Sequence, residues 1–168
     1  MTTVLIAGGT GMLGGLITEH LLEQDGVEVR LLVRRSARND PDKAARIDDL
    51  VARGARVFGG GFRHVASLVR APAGAYVGIS ALQGGPDVIV DGQIQLAEAA
   101  VRNGVRRFFP SDFALDLFAA PTGAPQFDMR KEADAAIDGT TRVVAAQLDT
   151  MGIPVGQGPP PRGGRGRG

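Results

Sequence analysis

The feature that most constrains this chain is a glycine-rich turn between an apolar run and a helical pattern near its N-terminus. Apolar residues at positions 4–7 indicate a buried strand, and glycines follow at a spacing of three: Gly8, Gly11 and Gly14. Beyond the turn, a helical pattern places one set of residues on a single side: Leu13, Leu16, Ile17, His20 and Leu21. A strand, a glycine turn and a helix in this order are typical of the first crossover of a dinucleotide-binding unit. A glycine-rich turn that binds no ligand is the alternative.

Each glycine of this turn has a separate expected task. Gly8 allows a sharp turn at the end of the strand, Gly11 lets the backbone approach a pyrophosphate, and Gly14 lets the helix pack close to the strand. The helix N-terminus offers unpaired N–H groups and a partial positive charge to phosphates. The spacing G-x-x-G-x-x-G differs from G-x-G-x-x-G and resembles that of extended short-chain dehydrogenases and related atypical families.

Two arginines follow the second predicted strand. Arg34 lies 20 residues beyond Gly14 and is followed by Arg35. Sites that prefer NAD place an acidic residue near this position to accept hydrogen bonds from the ribose 2′-hydroxyl, whereas a guanidinium suits a 2′-phosphate. The sequence therefore favours NADP (NADPH) over NAD. The alternative is that these arginines, with Arg38, form a solvated loop.

The order of elements predicts an α/β fold, a doubly wound parallel sheet with helices on both faces. After the first strand and helix, strands are predicted at 27–33, 55–58, 75–80, 105–109 and 141–147, and helices at 41–53, 65–69, 88–103 and 128–138. A structureless stretch is expected at 111–126. We predict one domain over residues 1–155 and a disordered tail rich in Gly, Pro and Arg over 156–168.

Composition narrows the classes of partner. The chain has 168 residues and a net charge of only +1, so no global field favours nucleic acid or an anionic membrane. It contains no cysteine, which excludes disulfides, thiolate metal sites and cysteine nucleophiles. No metal-binding spacing, signal peptide or membrane span is evident. We expect a cytoplasmic protein without a metal, nucleic-acid or membrane partner, and its oligomeric state stays open.

A second motif is more selective than the glycine turn. Residues 107–113 read Arg-Phe-Phe-Pro-Ser-Asp-Phe. With the glycine turn, Leu32-Val33-Arg34, Gln95-Leu96 and the helix at 127–137, this motif resembles the NmrA-like and isoflavone-reductase-like family of atypical short-chain dehydrogenases over roughly residues 3–150. The resemblance implies an NADP-binding Rossmann domain. Enzymatic members reduce enone-like, quinone or aromatic small molecules, and other relatives are redox-sensing regulators without catalysis.

The resemblance also implies cofactor contacts along the chain. The pyrophosphate would lie against Gly8, Thr10, Gly11, Met12, Leu13 and Gly14. Arg34, with Arg35 beside it, would contact the 2′-phosphate. Ser80 and Ala81 would pass beside the ribose, and the nicotinamide pocket would be walled by Pro110, Ser111 and Phe113.

The expected catalytic residue is Lys131. The family's reductases use a lysine three residues after a phenylalanine, early in the helix predicted from about 128. In this chain Arg130 occupies that position and Lys131 follows it. A shift of one residue turns a side chain about 100° around a helix, so either the register adjusts or Lys131 points away from the site. Arg130 could bind a phosphate but is a poor acid–base group, because arginine does not deprotonate in proteins.

Two departures from the family's pattern affect the expected function. Residues 59–64 replace an Asp-rich stretch near the adenine, and Gly/Pro/Arg-rich sequence after about 153 replaces a smaller domain that closes over the substrate. The sequence therefore resembles a truncated or frame-shifted product. Three hypotheses follow: an NADPH-dependent reductase of a small-molecule substrate, a non-catalytic dinucleotide sensor that binds a regulatory protein partner, and an inactive fragment.

Overall fold

A computed structural model describes residues 1–61, 73–113 and 123–150 of the chain, with side chains described as far as residue 139. The strands are β1 (Thr2–Ala7), β2 (Val27–Val33), β3 (Arg56–Gly59), β4 (Val77–Ser80) and β5 (Arg107–Phe109). The helices are α1 (Met12–Leu22), α2 (Pro41–Ala52), α3 (Gln93–Arg102) and α4 (Pro125–Thr150). A 3-10 helix covers Arg35–Asn39, and π-helical turns at Asp87–Gly92 lead into α3. The predicted helix at 65–69 and the predicted tail at 156–168 lie outside the described residues.

The five strands form one parallel sheet in the order β3-β2-β1-β4-β5. β1 lies at the centre, where Ile6 pairs with Leu31 of β2 and with Ile79 of β4. The strand order reverses between β1 and β4, which makes the carboxyl edge of these two strands the topological switch point at which such sheets bind ligands. The predicted doubly wound fold is confirmed.

Apolar packing covers both faces of the sheet. On one face, Val4 and Ile6 of β1 pack with Ile47 and Leu50 of α2, all at most 5% exposed, and α1 joins them through Ile17. On the other face, one cluster contains Leu5, Ala7, Leu32, Leu96 and Ala99. The central strands are therefore apolar on both sides, as is typical of parallel sheets. α4 packs outside α3 and the π-helical turns.

The predicted sixth strand is wrong, because residues 141–147 continue α4 as a helix. That segment is rich in Thr and Val, which favour strands. Gly139 is the only helix-breaking residue between 128 and 147, and one glycine costs only about 1 kcal/mol in a helix interior. The helix also begins at Pro125, three residues before its predicted start at 128.

The predicted apolar face of α1 is also only partly correct. Ile17 packs on the core, but Leu16 is 62% exposed. The buried residues of α1 are Gly14, Gly15 and Thr18. Small residues allow the start of this helix to lie against the glycine turn, so the helix is oriented by close backbone approach as well as by apolar area.

Candidate functional site

A cleft of about 270 Å³ opens at the switch point of the sheet. Its floor is formed where β1 and β4 end, at Ala7-Gly8 and Ala81-Leu82. Its walls come from the start of α1, the end of β2, α2, the segment after β5 and α4. The other lining residues are Thr10, Gly11, Met12, Leu13, Leu32, Val33, Arg34, Ala37, Lys43, Gly60, Gly61, Gln83, Val88, Ser111, Phe113 and Arg130.

The glycines of the turn serve different purposes. Gly8 has φ +84°, and a Cβ on Gly14 would collide with the carbonyl oxygen of Gly8. These two glycines are therefore required by the packing of β1 against α1. Gly11 is exposed on the cleft wall, and a Cβ there would meet only the Gly8 carbonyl oxygen, at 3.3 Å. A side chain at Gly11 would require the Gly8 carbonyl to shift by only a few tenths of an ångström, and its absence leaves the backbone accessible to a ligand.

The N-terminus of α1 faces this cleft without a capping side chain. Gly11 is the N-cap residue, no side chain accepts a hydrogen bond from the first turn, and that turn contains no acidic residue. The backbone N–H groups of a first helical turn have no intrahelical acceptors, and together they carry a partial positive charge. An anion in the cleft would supply the acceptors that the sequence does not.

Thr18 stabilises the turn from inside the protein. Its side chain is fully buried, and its hydroxyl donates to the carbonyl oxygen of Gly14 at 2.7 Å and lies 3.3 Å from that of Gly9. A Cβ on Gly9 would lie 2.9 Å from this hydroxyl. Thr18 therefore connects α1 to the glycine turn, which keeps the turn in one conformation.

Two cations from the β2–α2 connection line the same cleft. Arg34 follows β2 and is exposed, and Lys43 lies in the first turn of α2. Asp40 caps α2 by accepting hydrogen bonds from the N–H groups of Asp42 and Lys43, and the Lys43 ammonium lies 3.3 Å from its carboxylate. The Lys43 backbone N–H and ammonium hold the pKa of Asp40 below its usual range. No carboxylate lines the cleft among the residues the structure describes.

A buried amide fixes the segment that follows β5. Gln93 is 1% exposed; its Nε2 donates to the carbonyl oxygen of Ile89 (2.9 Å), and its Oε1 accepts from the backbone N–H of Ser111 (2.5 Å). The Ser111 hydroxyl donates to the carbonyl oxygen of Leu82 (2.8 Å). Gln93 and Ser111 therefore join the ends of β4 and β5 to α3, and they position the cleft wall at Phe113.

Replacing Gln93 with leucine should lower the free energy of unfolding by about 1–3 kcal/mol, because the buried Ser111 N–H would lose its acceptor. Chemical denaturation measures this change. Gln95→Leu is the matched control, since the Oε1 atom of Gln95 is buried without a hydrogen-bond partner in the described part of the chain. Equal losses in the two variants would contradict a specific role for Gln93.

The structure brings most of the predicted contact residues to the cleft. Gly8, Thr10, Gly11, Met12, Leu13, Arg34, Ala81, Ser111 and Phe113 line it. Four others adjoin it without lining it: Gly14, Arg35, Ser80 and Pro110. Ser80 is fully buried, and its hydroxyl has no partner among the described residues. The roles of these residues in cofactor binding remain predictions, and all of the residues lie in or next to one cleft.

Comparison with known proteins identifies the family. The model of the NmrA-like family matches residues 1–137. This chain belongs to the NmrA-like family. An isoflavone reductase homologue from Zea mays is 36% identical over 173 residues, which cover 94% of this chain and 54% of that protein. The bifunctional pinoresinol-lariciresinol reductase of Forsythia intermedia is 36% identical over 118 residues, 67% of this chain and 37% of that protein.

Solved structures agree. A structure of AtPrR2 with NADP⁺ and (+)-pinoresinol has a TM-score of 0.71 and 33% identity, covering 83% of this chain and 46% of that one. A structure from work on pinoresinol-lariciresinol and phenylcoumaran benzylic ether reductases has a TM-score of 0.73 and 28% identity, covering 83% and 47%. The NmrA-like chain thus spans between 37% and 54% of the length of these relatives. The predicted resemblance is confirmed.

α4 presents Arg130, not Lys131, among the residues that line the cleft. Because α4 begins at Pro125, both residues lie in its second turn. The effect of a helix dipole falls off within the first turn, so the proton-transfer argument for a lysine here is weaker than the sequence suggested. Both side chains are half-buried. The acid–base role of Lys131 stays a prediction that this placement does not support.

Sequence reasoning did not find Lys43, Thr18 or Gln93. Lys43 had a usable signal: Asp40-Pro41 is a helix start, and a helix that follows a parallel strand begins at the sheet's ligand-binding edge. Thr18 and Gln93 had none, because their partners are backbone atoms brought close only by folding.

Among the described residues, no helix combines the length and apolar character that a bilayer span requires.

Proposed function

We propose that this NmrA-like chain binds NADP(H) in the cleft at the switch point, as the cofactor domain of a reductase acting on an aromatic, enone or quinone compound. The observation that carries the proposal is the composition of the cleft: an accessible glycine backbone, an uncapped helix N-terminus and three cations, with no lining carboxylate among the described residues. Relatives described as isoflavone and pinoresinol reductases, and a related structure that holds NADP⁺, support it.

Each part of the cofactor has a candidate partner in the chain. The backbone around Gly11 and the first turn of α1 would bind the diphosphate. Arg34 and Lys43 would bind the 2′-phosphate, and Phe113 would form part of the wall of the nicotinamide pocket. When bound, NADPH supplies a hydride. The chain's own residues bind the cofactor and orient it, with Ser111 and Gln93 fixing the wall against which the ring would lie.

A titration of the 168-residue chain with NADPH and with NADH tests the proposal directly. Bound NADPH can be followed by the fluorescence of its reduced nicotinamide ring. We expect saturable binding of NADPH, with NADH at least about tenfold weaker, since a 2′-phosphate gains charge-assisted hydrogen bonds from two cations. Equal affinity for the two cofactors would remove the 2′-phosphate assignment, and no binding of either would contradict the proposal.

A non-catalytic dinucleotide sensor with a regulatory protein partner is the second candidate. The presence of Arg130 in the cleft favours it, because arginine cannot serve as a general acid or base. Oxidation of bound NADPH by an enone or a quinone would separate the two functions: turnover supports a reductase, and tight binding without turnover supports a sensor. Failure to bind NADPH would leave the third hypothesis, that the chain is an inactive fragment.

A further inference from the structure

The cations of the cleft come from two separate places. Arg34 follows β2 and Lys43 lies in the first turn of α2, whereas Arg130 belongs to α4, which packs on α3 and the π-helical turns. Val88 of those turns lines the cleft on the side of β4 and β5. In the sheet, β2 is separated from β4 and β5 by the central strand β1. Arg130 therefore reaches the cleft from a different element than the cations assigned to the 2′-phosphate.

The guanidinium of Arg130 has unused bonding capacity. Its Nη1 donates to the carbonyl oxygen of Gln126 at 3.2 Å, which uses one N–H donor of the guanidinium. A guanidinium has five N–H donors and keeps its charge at all accessible pH values. A half-buried cation of this kind gains most from an anionic partner, and a planar carboxylate fits its geometry with two parallel hydrogen bonds.

An exposed aromatic ring also lines the cleft. Phe113 follows β5, lines the cleft and is 49% exposed. Its position is fixed by the neighbouring Ser111, through hydrogen bonds to Gln93 and Leu82. A ring and a guanidinium in the same cleft can bind the two ends of an unsaturated or aromatic acid.

We propose that Arg130 makes this cleft selective for an anionic acceptor: a planar aromatic or conjugated compound whose carboxylate pairs with Arg130 and whose apolar part contacts Phe113. The proposal rests on the proposed function, since the acceptor binds beside NADPH. Arg130 is then a specificity-determining residue. Its fixed charge recognises the substrate instead of transferring a proton.

The test compares two probes of the same skeleton on the NADPH-saturated chain: trans-cinnamate, which is charged, and cinnamyl alcohol, which is neutral. Calorimetry should give an affinity for cinnamate at least about tenfold higher, the range of a charge-assisted pair. Arg130→Gln should bring the ratio close to one, and Arg130→Lys should keep part of it. Arg102→Gln is the matched control, because it removes an exposed arginine of α3 that does not line the cleft. Circular dichroism verifies that each variant is folded.

Three outcomes would overturn the proposal: equal binding of the two probes, no binding of either, or a cinnamate preference that survives in Arg130→Gln. A loss of NADPH affinity in Arg130→Gln as large as its loss of cinnamate affinity would also overturn the proposal, since Arg130 would then bind the cofactor. If the wild-type chain binds no NADPH, the proposed function fails on its own. Binding of cinnamate and cinnamyl alcohol to the chain without cofactor then decides the role of Arg130. A cinnamate preference that disappears in Arg130→Gln supports anion recognition by Arg130, and the absence of such a preference overturns it.

Discussion

Replacing Gly11 with alanine is expected to weaken NADPH binding by at least about tenfold while leaving the protein folded. The physical reason is the position of Gly11 on the cleft wall, where an added Cβ meets only one protein atom, at 3.3 Å. The methyl group would therefore occupy space that the diphosphate needs to reach the N–H groups of α1. Loss of a glycine N-cap should cost less than about 1 kcal/mol of stability. Fluorescence titration and chemical denaturation measure the two effects separately.

Alanine at two other glycines provides the contrast. Gly14→Ala should lower the free energy of unfolding by about 1–3 kcal/mol, because its Cβ collides with the Gly8 carbonyl and α1 must move. Gly139→Ala is the control, since Gly139 lies exposed in α4 with nothing near its added Cβ. It should leave binding unchanged and raise stability by roughly 0.5–1 kcal/mol. Binding of NADPH to Gly11→Ala with wild-type affinity would contradict the assignment of this turn to the diphosphate.

Arg34→Asp is expected to reverse the preference for NADPH over NADH. Removal of a charge-assisted pair costs about 1.5–3 kcal/mol, or roughly 10- to 150-fold in affinity, and the new carboxylate adds repulsion from the 2′-phosphate. The same carboxylate can accept hydrogen bonds from the ribose hydroxyls of NADH, so binding of NADH should hold or improve. Titration of both cofactors gives the ratio of their dissociation constants.

Arg35→Asp is the matched control for this prediction. It makes the same change of charge one residue along the chain, but Arg35 starts the 3-10 helix and does not line the cleft. We expect Arg35→Asp to change the ratio of the NADPH and NADH dissociation constants much less than Arg34→Asp does. The effect of Lys43→Gln on this ratio should be intermediate, because Lys43 lines the cleft but also contacts Asp40. An equal effect of Arg34→Asp and Arg35→Asp would indicate a diffuse field instead of a specific contact.

The limits of sequence-based prediction are visible at α4. Its apolar residues indicated a helix over 128–138, and Ala133 and Ile137 are indeed buried. The pattern did not locate either end of this helix, since the Thr- and Val-rich segment after Gly139 has strand propensity yet continues as helix. Propensity is a weak prior that neighbouring structure overrides. The start at Pro125 matters for the site, because it moves residues 130 and 131 into the second turn.

The choice between Arg130 and Lys131 shows the same limit at the level of one side chain. Neighbouring residues of a helix point about 100° apart, so only one of the two can face the cleft in a given orientation of α4. That orientation depends on the packing of α4 against α3 and the π-helical turns. No local pattern in the sequence contains this information.

Local patterns along the chain are sufficient to predict the parallel doubly wound sheet, the glycine turn at its centre and the basic residue after β2. These features depend on short-range chemistry: apolar runs, residues without side chains, and charges at a fixed distance along one crossover. Only the packing of whole elements makes Thr18 and Gln93 support the cleft and places Arg130, not Lys131, among its lining residues. The physical reason is that hydrogen-bond partners and side-chain directions are set by how whole elements pack, over sequence separations that a linear pattern does not encode.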